Sequence, residues 1–189
     1  MANLYIIAGC NGAGKTTASN TVLPEIIHCN EFVNADSIAK GLSPFQPETV
    51  AFEAGRIMLH RIHELLLQQK DFAIETTLTT KSYLQTIQLA QSKGYQVILL
   101  FFWLNNVELA KKRVQKRVSE GGHNIPINVI ERRYQRGIDN FFKHFVFAVD
   151  KWYLFDNSEI NPIFVAEQQS ATDLIVYEPI IFNQIKNGK

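Results

Sequence analysis

Residues 4–20, LYIIAGCNGAGKTTASN, gather the side chains and backbone types that hold a phosphate. An apolar run gives way to a glycine-rich turn, then a lysine and two threonines. Residues 9–16, GCNGAGKT, fit the pattern G-x-x-x-x-G-K-[ST], placed after a strand and before a helix as that loop requires. Gly9, Gly12 and Gly14 let the backbone turn its N–H groups inward as an anion nest, with Asn11, Ala13 and Thr17 completing the loop. The helix N-terminus adds partial positive charge. In this pattern Lys15 reaches the β/γ-phosphates and Thr16 offers its hydroxyl to Mg²⁺. The chemistry implied is binding of a nucleoside triphosphate.

Carboxylates decide what becomes of the γ-phosphate. ATPases with this loop usually end an apolar strand in an Asp that holds the Mg²⁺ shell. The most apolar strand candidate, 95–104, ends instead in Asn105 and Asn106, which argues against simple hydrolysis. Two other candidate strands do end in acids: Asp36 in FVNAD and Glu75 in FAIETTL. Asp36 is either a general base that orients an acceptor hydroxyl or the N-cap of the segment SIAKGL. Glu75 is suited to holding water on Mg²⁺ or binding the acceptor, or else is a solvated strand end. Thr76, Thr77 and Thr79 follow as a hydroxyl-rich acceptor loop or a plain hydroxyl-bonded turn.

Cationic side chains cluster downstream. Residues 111–143 carry nine Lys/Arg against three Asp/Glu, a local charge of +6 that leaves −5 for the rest of the chain. Arg113 and Arg117 share one helix face by their i,i+4 spacing, and Arg132 and Arg136 repeat it beside Arg133. The segment SEGGHNIP lies between, with paired glycines suited to a hinge. Two basic helices closing over the phosphates would form a lid across about 106–144. His123 reads as a loop or packing residue. One local basic block in a chain of net charge +1 points to an anionic ligand site and does not point to a surface built for nucleic acid.

These residues need a scaffold, and the apolar pattern supplies one. Strands are expected at 4–8, 32–34, 72–75, 95–104, 152–155 and 163–166. Helices are expected from 47 to about 70, over 79–93 with Gly94 beyond the C-terminus, over 107–119, and from 126 to about 144. The tail from 172 reads as a strand near 175–177 and a short helix near 180–186. Strand and helix in alternation predict an α/β three-layer sandwich with a central parallel sheet of about five strands and a helical lid, as one domain over 1–189. The residues DNS at 156–158 end a strand on the ligand edge and are expected near the adenine. Two cysteines, Cys10 and Cys29, at no metal-ligand spacing fit a reducing compartment. With no basic leader and no membrane-length apolar run, a cytoplasmic location away from membranes is expected.

The motifs LYIIAGCNGAGKTT, NAD, ETTL, RVQKRVSEGGHNIP, RRYQRGIDNFF and WYLFDNS, in this order, resemble the zeta-toxin-like P-loop kinases. The likeness is to their short branch, often labelled a predicted ABC-type ATPase, although no LSGGQ-like segment occurs. It covers about residues 3–167. The resemblance implies an ATP-dependent kinase with a parallel five-stranded core, using ATP and Mg²⁺. It implies a nucleotide-sugar acceptor, the hydroxyl of UDP-N-acetylglucosamine, and a small antitoxin as partner. It assigns Lys15 and Thr16 to phosphate and Mg²⁺, Asp36 to the base, and Glu75 to the acceptor end. Lid arginines fall among Arg113, Arg117, Arg132, Arg133 and Arg136. Cys10 stands where the branch commonly has proline, which exposes the loop to oxidation chemistry. A kinase of nucleic-acid ends and a nucleotide-switched module without an acceptor are the alternative readings.

Overall fold

The computed structural model describes residues 1–122, 124–170 and 172–188. β1 (Asn3–Gly9) lies inside the sheet, between β3 (Phe72–Thr76) and β4 (Gln96–Trp103). The short β2 (Phe32–Val33) pairs outside β3. Beyond β4 come β5 (Lys151–Asp156), β6 (Ile163–Gln168) and β7 (Leu174–Val176), in the order β2-β3-β1-β4-β5-β6-β7. The first five strands are parallel, as the sequence predicts. The sheet nevertheless has seven strands, because β6 and β7 add to it antiparallel. Their connections explain this: a link confined to residues 157–162 is too short for the crossover a parallel strand needs.

The helices are α1 (Lys15–Thr21), α2 (Ala35–Leu42), α3 (Ala51–Gln68), α4 (Tyr83–Ser92), α5 (Val107–Ser119), α6 (Ile127–Lys143) and α7 (Pro179–Asn187). The helix expected from residue 47 divides into a 3₁₀ turn, Pro47–Val50, and α3, which ends where Gln69 turns left-handed at φ 53°. α4 starts four residues later than expected. Leu78 at φ 53° turns the chain away first, and a bond between the Thr80 and Ser82 hydroxyls occupies the intervening turn. Gly94 at φ 80° does terminate α4.

Both sheet faces are covered, so the strands read as nearly continuous apolar runs. Leu4, Ile6 and Ala8 join Met58 and Leu65 of α3 and Ile87 of α4 in one cluster. Tyr5 and Ile7 point the other way, toward Leu23 and toward Ala110 and Val114 of α5. α6 contributes to both clusters, Ile130 to the second and Ile138 and Phe141 to the first. It therefore crosses from one layer to the other. Phe141 is fully buried, stacked on Phe101 at 4.5 Å between centroids and edge-on to Trp152 at 5.5 Å. Replacing it empties the joint between α6 and the sheet. Phe141→Ala should cost about 3–5 kcal/mol in stability, read by urea unfolding.

Candidate active site

The loop between β1 and α1 opens at the carboxyl edge of the parallel strands, where open α/β sheets bind ligands. Gly12 and Gly14 have φ of +81° and +82°, in the region that favours glycine. At Gly9 a Cβ would collide with the Phe102 carbonyl. The loop is thus pressed against the end of β4. Ala13 is fully buried and its N–H donates to Cys10 O at 3.2 Å. Lys15 is only 6% exposed; its Nζ donates to Cys10 O at 2.9 Å and lies 3.7 Å from Glu75 Oε1. Thr16 and Thr17 open the exposed first turn of α1.

A carboxylate does stand beside the Thr16 hydroxyl, but on the other neighbour of β1. Glu75 is the next-to-last residue of β3 with its side chain 11% exposed, and its Oε2 accepts from Thr16 Oγ1 at 2.9 Å and from Asn34 Nδ2 at 2.8 Å. The missing acid at Asn105 and Asn106 therefore says nothing against hydrolysis. The carboxylate sits on β3, and Glu75 is not a solvated strand end. Asp36 is exposed in the first turn of α2, and Asn34 is the N-cap, with its Oδ1 accepting from Ser37 N at 3.0 Å. The capping alternative for Asp36 is excluded. Beyond β3, Thr76 Oγ1 accepts from Leu78 N at 3.1 Å, while Thr77 and Thr79 share a hydroxyl contact of 2.7 Å. These threonines shape the turn around the left-handed Leu78, whose side chain is fully buried.

The arginines separate by role. Arg113 donates to three carbonyls: Gly12 O at 3.4 Å, Asn157 O at 2.8 Å and Ser158 O at 2.9 Å. It braces the loop. Arg117 is exposed, one turn further along α5, and its carbonyl accepts from Gly122 N at 2.8 Å. Arg133 is half-buried, and its Nη1 donates to Asn11 Oδ1 at 3.1 Å. Burial lowers the Arg133 pKa from its ordinary value, and the Asp36 charge opposes that shift. Arg136 lies one turn on, exposed on the same side of α6, and Arg132 is exposed on a neighbouring face.

α6 is seated closely over the strand ends. Tyr134 Oη donates to Leu104 O at 2.6 Å and Asn140 Nδ2 to Leu78 O at 2.6 Å. At Gly137 a Cβ would come within 2.7 Å of Thr77 O. The helix expected in a closing lid is therefore also a packed roof. His123 lies outside the described residues. Asp156, Asn157 and Ser158, expected near the adenine, hold the loop from the β5 side: Asn157 Nδ2 donates to Ala13 O at 2.7 Å. Asp156 in turn accepts from Ser158 N at 2.9 Å and from the Ser158 hydroxyl. Sequence reasoning passed over Asn34. Its signal was an asparagine directly ahead of a helical segment, an N-cap position.

The donor set suits Mg²⁺, a hard ion usually held by one or two protein oxygens together with phosphates and water. Thr16 and Glu75 are the oxygens in place. Among the described residues no three His, Cys, Asp or Glu side chains gather into a metal site of their own. The thiol of Cys10 is buried and pushed up to about 11, mainly by loss of solvent. It is protonated and shielded, so the expected sensitivity of the loop to oxidation is not supported.

The zeta toxin family model matches residues 2–169. An uncharacterized protein of Haemophilus influenzae is 31% identical over 128 residues, covering 67% of this chain and 88% of that protein. Among solved structures, a chain of the AvrRxo1-ORF1:AvrRxo1-ORF2 complex superposes with a TM-score of 0.83 at 18% identity, over 98% of this chain. The present chain spans 64% of the length of that one, and the complex with ATP gives 0.80. A chain of the PezAT chromosomal toxin–antitoxin system of Streptococcus pneumoniae gives 0.72 at 19% identity, over 100% of this chain and 80% of that one.

Two outcomes test the loop's construction. Arg113→Ala should destabilise the protein by about 1.5–3 kcal/mol and weaken ATP binding, read by chemical unfolding and calorimetry. A thiol reagent at neutral pH should label neither Cys10 nor Cys29 in the native protein, both being buried with raised pKa, and both after unfolding. Rapid native labelling of Cys10 would contradict the shielding.

Proposed function

The chain belongs to the zeta toxin family, and from that premise we propose that it is an ATP-dependent kinase whose acceptor is a hydroxyl of a nucleotide sugar, UDP-N-acetylglucosamine in the first instance. It has the zeta-toxin-like P-loop kinase fold. The observation that carries the kinase reading is the convergence of Lys15, the Thr16–Glu75 pair, Asp36 and Arg133 along one sheet edge. The sugar-nucleotide acceptor rests on the family resemblance.

In this reading the loop N–H groups and Lys15 bind the phosphates of ATP. Thr16 and Glu75 would hold Mg²⁺, which would supply neutralisation of the phosphate charge. Asp36 orients the acceptor hydroxyl and takes its proton as the oxygen attacks the γ-phosphorus. The bond from the γ-phosphorus to the bridging oxygen breaks, and ADP departs with the electron pair. Arg133, held by Asn11 and drawn by Asp36, stabilises charge on the transferring group, with Arg136 following on the same helix face. Thr76 and Thr77 line the acceptor side through the turn they build. Arg113 acts through the loop, and Arg117 stays at the outer end of α5.

A kinase of nucleic-acid ends fits less well. The basic segment is partly neutralised in place: Lys111 lies 2.6 Å from Glu108 and 2.7 Å from Glu131, and Lys143 lies 3.4 Å from Asp139. An antitoxin partner is proposed on the precedent of PezAT, a toxin–antitoxin system. A cytoplasmic location is proposed as well. It is compatible with the described residues, none of whose helices is long and apolar enough to cross a membrane.

The test is mass spectrometry of UDP-N-acetylglucosamine incubated with ATP, Mg²⁺ and protein. The expected product is the sugar nucleotide heavier by one phosphoryl group, absent with Lys15→Ala. Asp36→Asn should keep ATP affinity and lower transfer by roughly 10²–10⁴-fold. ADP formed without a phosphorylated sugar, at a rate indifferent to Asp36→Asn, would instead support an acceptor-free switch.

A further inference from the structure

β2 contributes only two ladder positions, Phe32 opposite Ala73 and Val33 opposite Ile74. So short an edge strand pins its register weakly, yet the chain leaving it carries Asp36. The next residue, Asn34, is 6% exposed and uses both ends of its carboxamide. Its Oδ1 accepts from Ser37 N at 3.0 Å and caps α2, and its Nδ2 donates to Glu75 Oε2 at 2.8 Å. The same Oε2 accepts the Thr16 hydroxyl at 2.9 Å. One planar amide therefore ties the helix bearing Asp36 to the carboxylate beside the phosphate loop.

We propose that Asn34 is a positioning residue for phosphoryl transfer, holding Glu75 and the first turn of α2 in one rigid unit. The proposal rests on the kinase reading above. Two donors on one carboxylate oxygen fix the orientation of the Glu75 head group and leave Oε1 facing the loop, 3.7 Å from Lys15 Nζ. The amide is neutral, so it adds no charge against Glu75. Serine and aspartate, the other strong caps, do not do all of this: serine caps but does not span to Glu75, and aspartate caps but offers a second carboxylate where a donor is needed.

Asn34→Ser and Asn34→Asp separate capping from positioning, because both keep a capping oxygen. For Asn34→Ser the expected result is near wild-type Tm and Mg²⁺-free ATP affinity. Turnover should fall roughly tenfold or more, as for lost partners of ligating groups, and the gain in ATP affinity on adding Mg²⁺ should shrink. Asn34→Asp keeps the cap but offers Glu75 no amide donor, so its turnover and its gain in ATP affinity on adding Mg²⁺ should fall at least as far as those of Asn34→Ser.

Turnover of Asn34→Ser within about threefold of wild type would overturn the proposal, as would parallel losses in Tm and Mg²⁺-free ATP affinity, which mark a structural cap. An Asn34→Asp variant that keeps wild-type turnover and the wild-type gain in ATP affinity on adding Mg²⁺ would also overturn it. If the wild-type protein phosphorylates no acceptor, the kinase reading fails on its own. The Mg²⁺-dependent gain in ATP affinity still tests the link from Asn34 to Glu75.

Discussion

Parallel register between β1 and β3, with Ile7 opposite Glu75 and Ala8 opposite Thr76, places a carboxylate one strand away from the start of the phosphate loop. Strands in a sheet are about 4.8 Å apart, close enough for side chains at their ends to meet directly. Thr16 and Lys15, at the far end of the loop, return to that carboxylate. Slipping β3 by one residue would turn Glu75 to the opposite face and leave Lys15 buried without its counter-charge. The low exposure of Lys15 and Glu75 makes their pairing matter, because a buried ion left alone is far costlier than the same ion at the surface.

Around that contact the loop is held from several sides. Arg113 and Asn157 secure the carbonyls of Gly12 and Ala13, Phe102 O abuts Gly9, and Arg133 takes Asn11. Most of these partners belong to elements after β4, far along the chain from the loop. A loop rich in glycine has high conformational entropy when free, and these braces restrict it before any ligand arrives. Preorganised N–H donors and cations need little rearrangement when phosphate charge enters, which is how electrostatic stabilisation becomes effective.

α6 joins the two layers to the site. Its apolar residues enter both core clusters, while Arg133, Gly137 and Asn140 face the loop and the turn after β3. Packing that stabilises the domain thereby sets the position of the Arg133 guanidinium. The cost is seen at Arg133, where loss of solvent disfavours the charge and the field of Asp36 offsets it.

The sequence alone determined the loop, because G-x-x-x-x-G-K-[ST] concentrates its chemistry in contiguous residues. It also determined the five parallel strands, because buried strands leave unbroken apolar runs at 4–8 and 95–104. Local rules reached α5 at its full extent and the end of α4 at Gly94. Tertiary structure decided what depends on distance through space. Which strand end supplies the carboxylate beside Thr16 follows from strand order, and no local pattern in 95–104 or 72–75 records that β3 and β4 both flank β1. Arg113 and Arg133 carry the same side chain on similar helices; one ends among carbonyls and the other on Asn11, within the field of Asp36, because α5 and α6 meet the loop from different sides. Asn34 and not Asp36 caps α2, because the helix begins at Ala35 and takes Asp36 into its first turn.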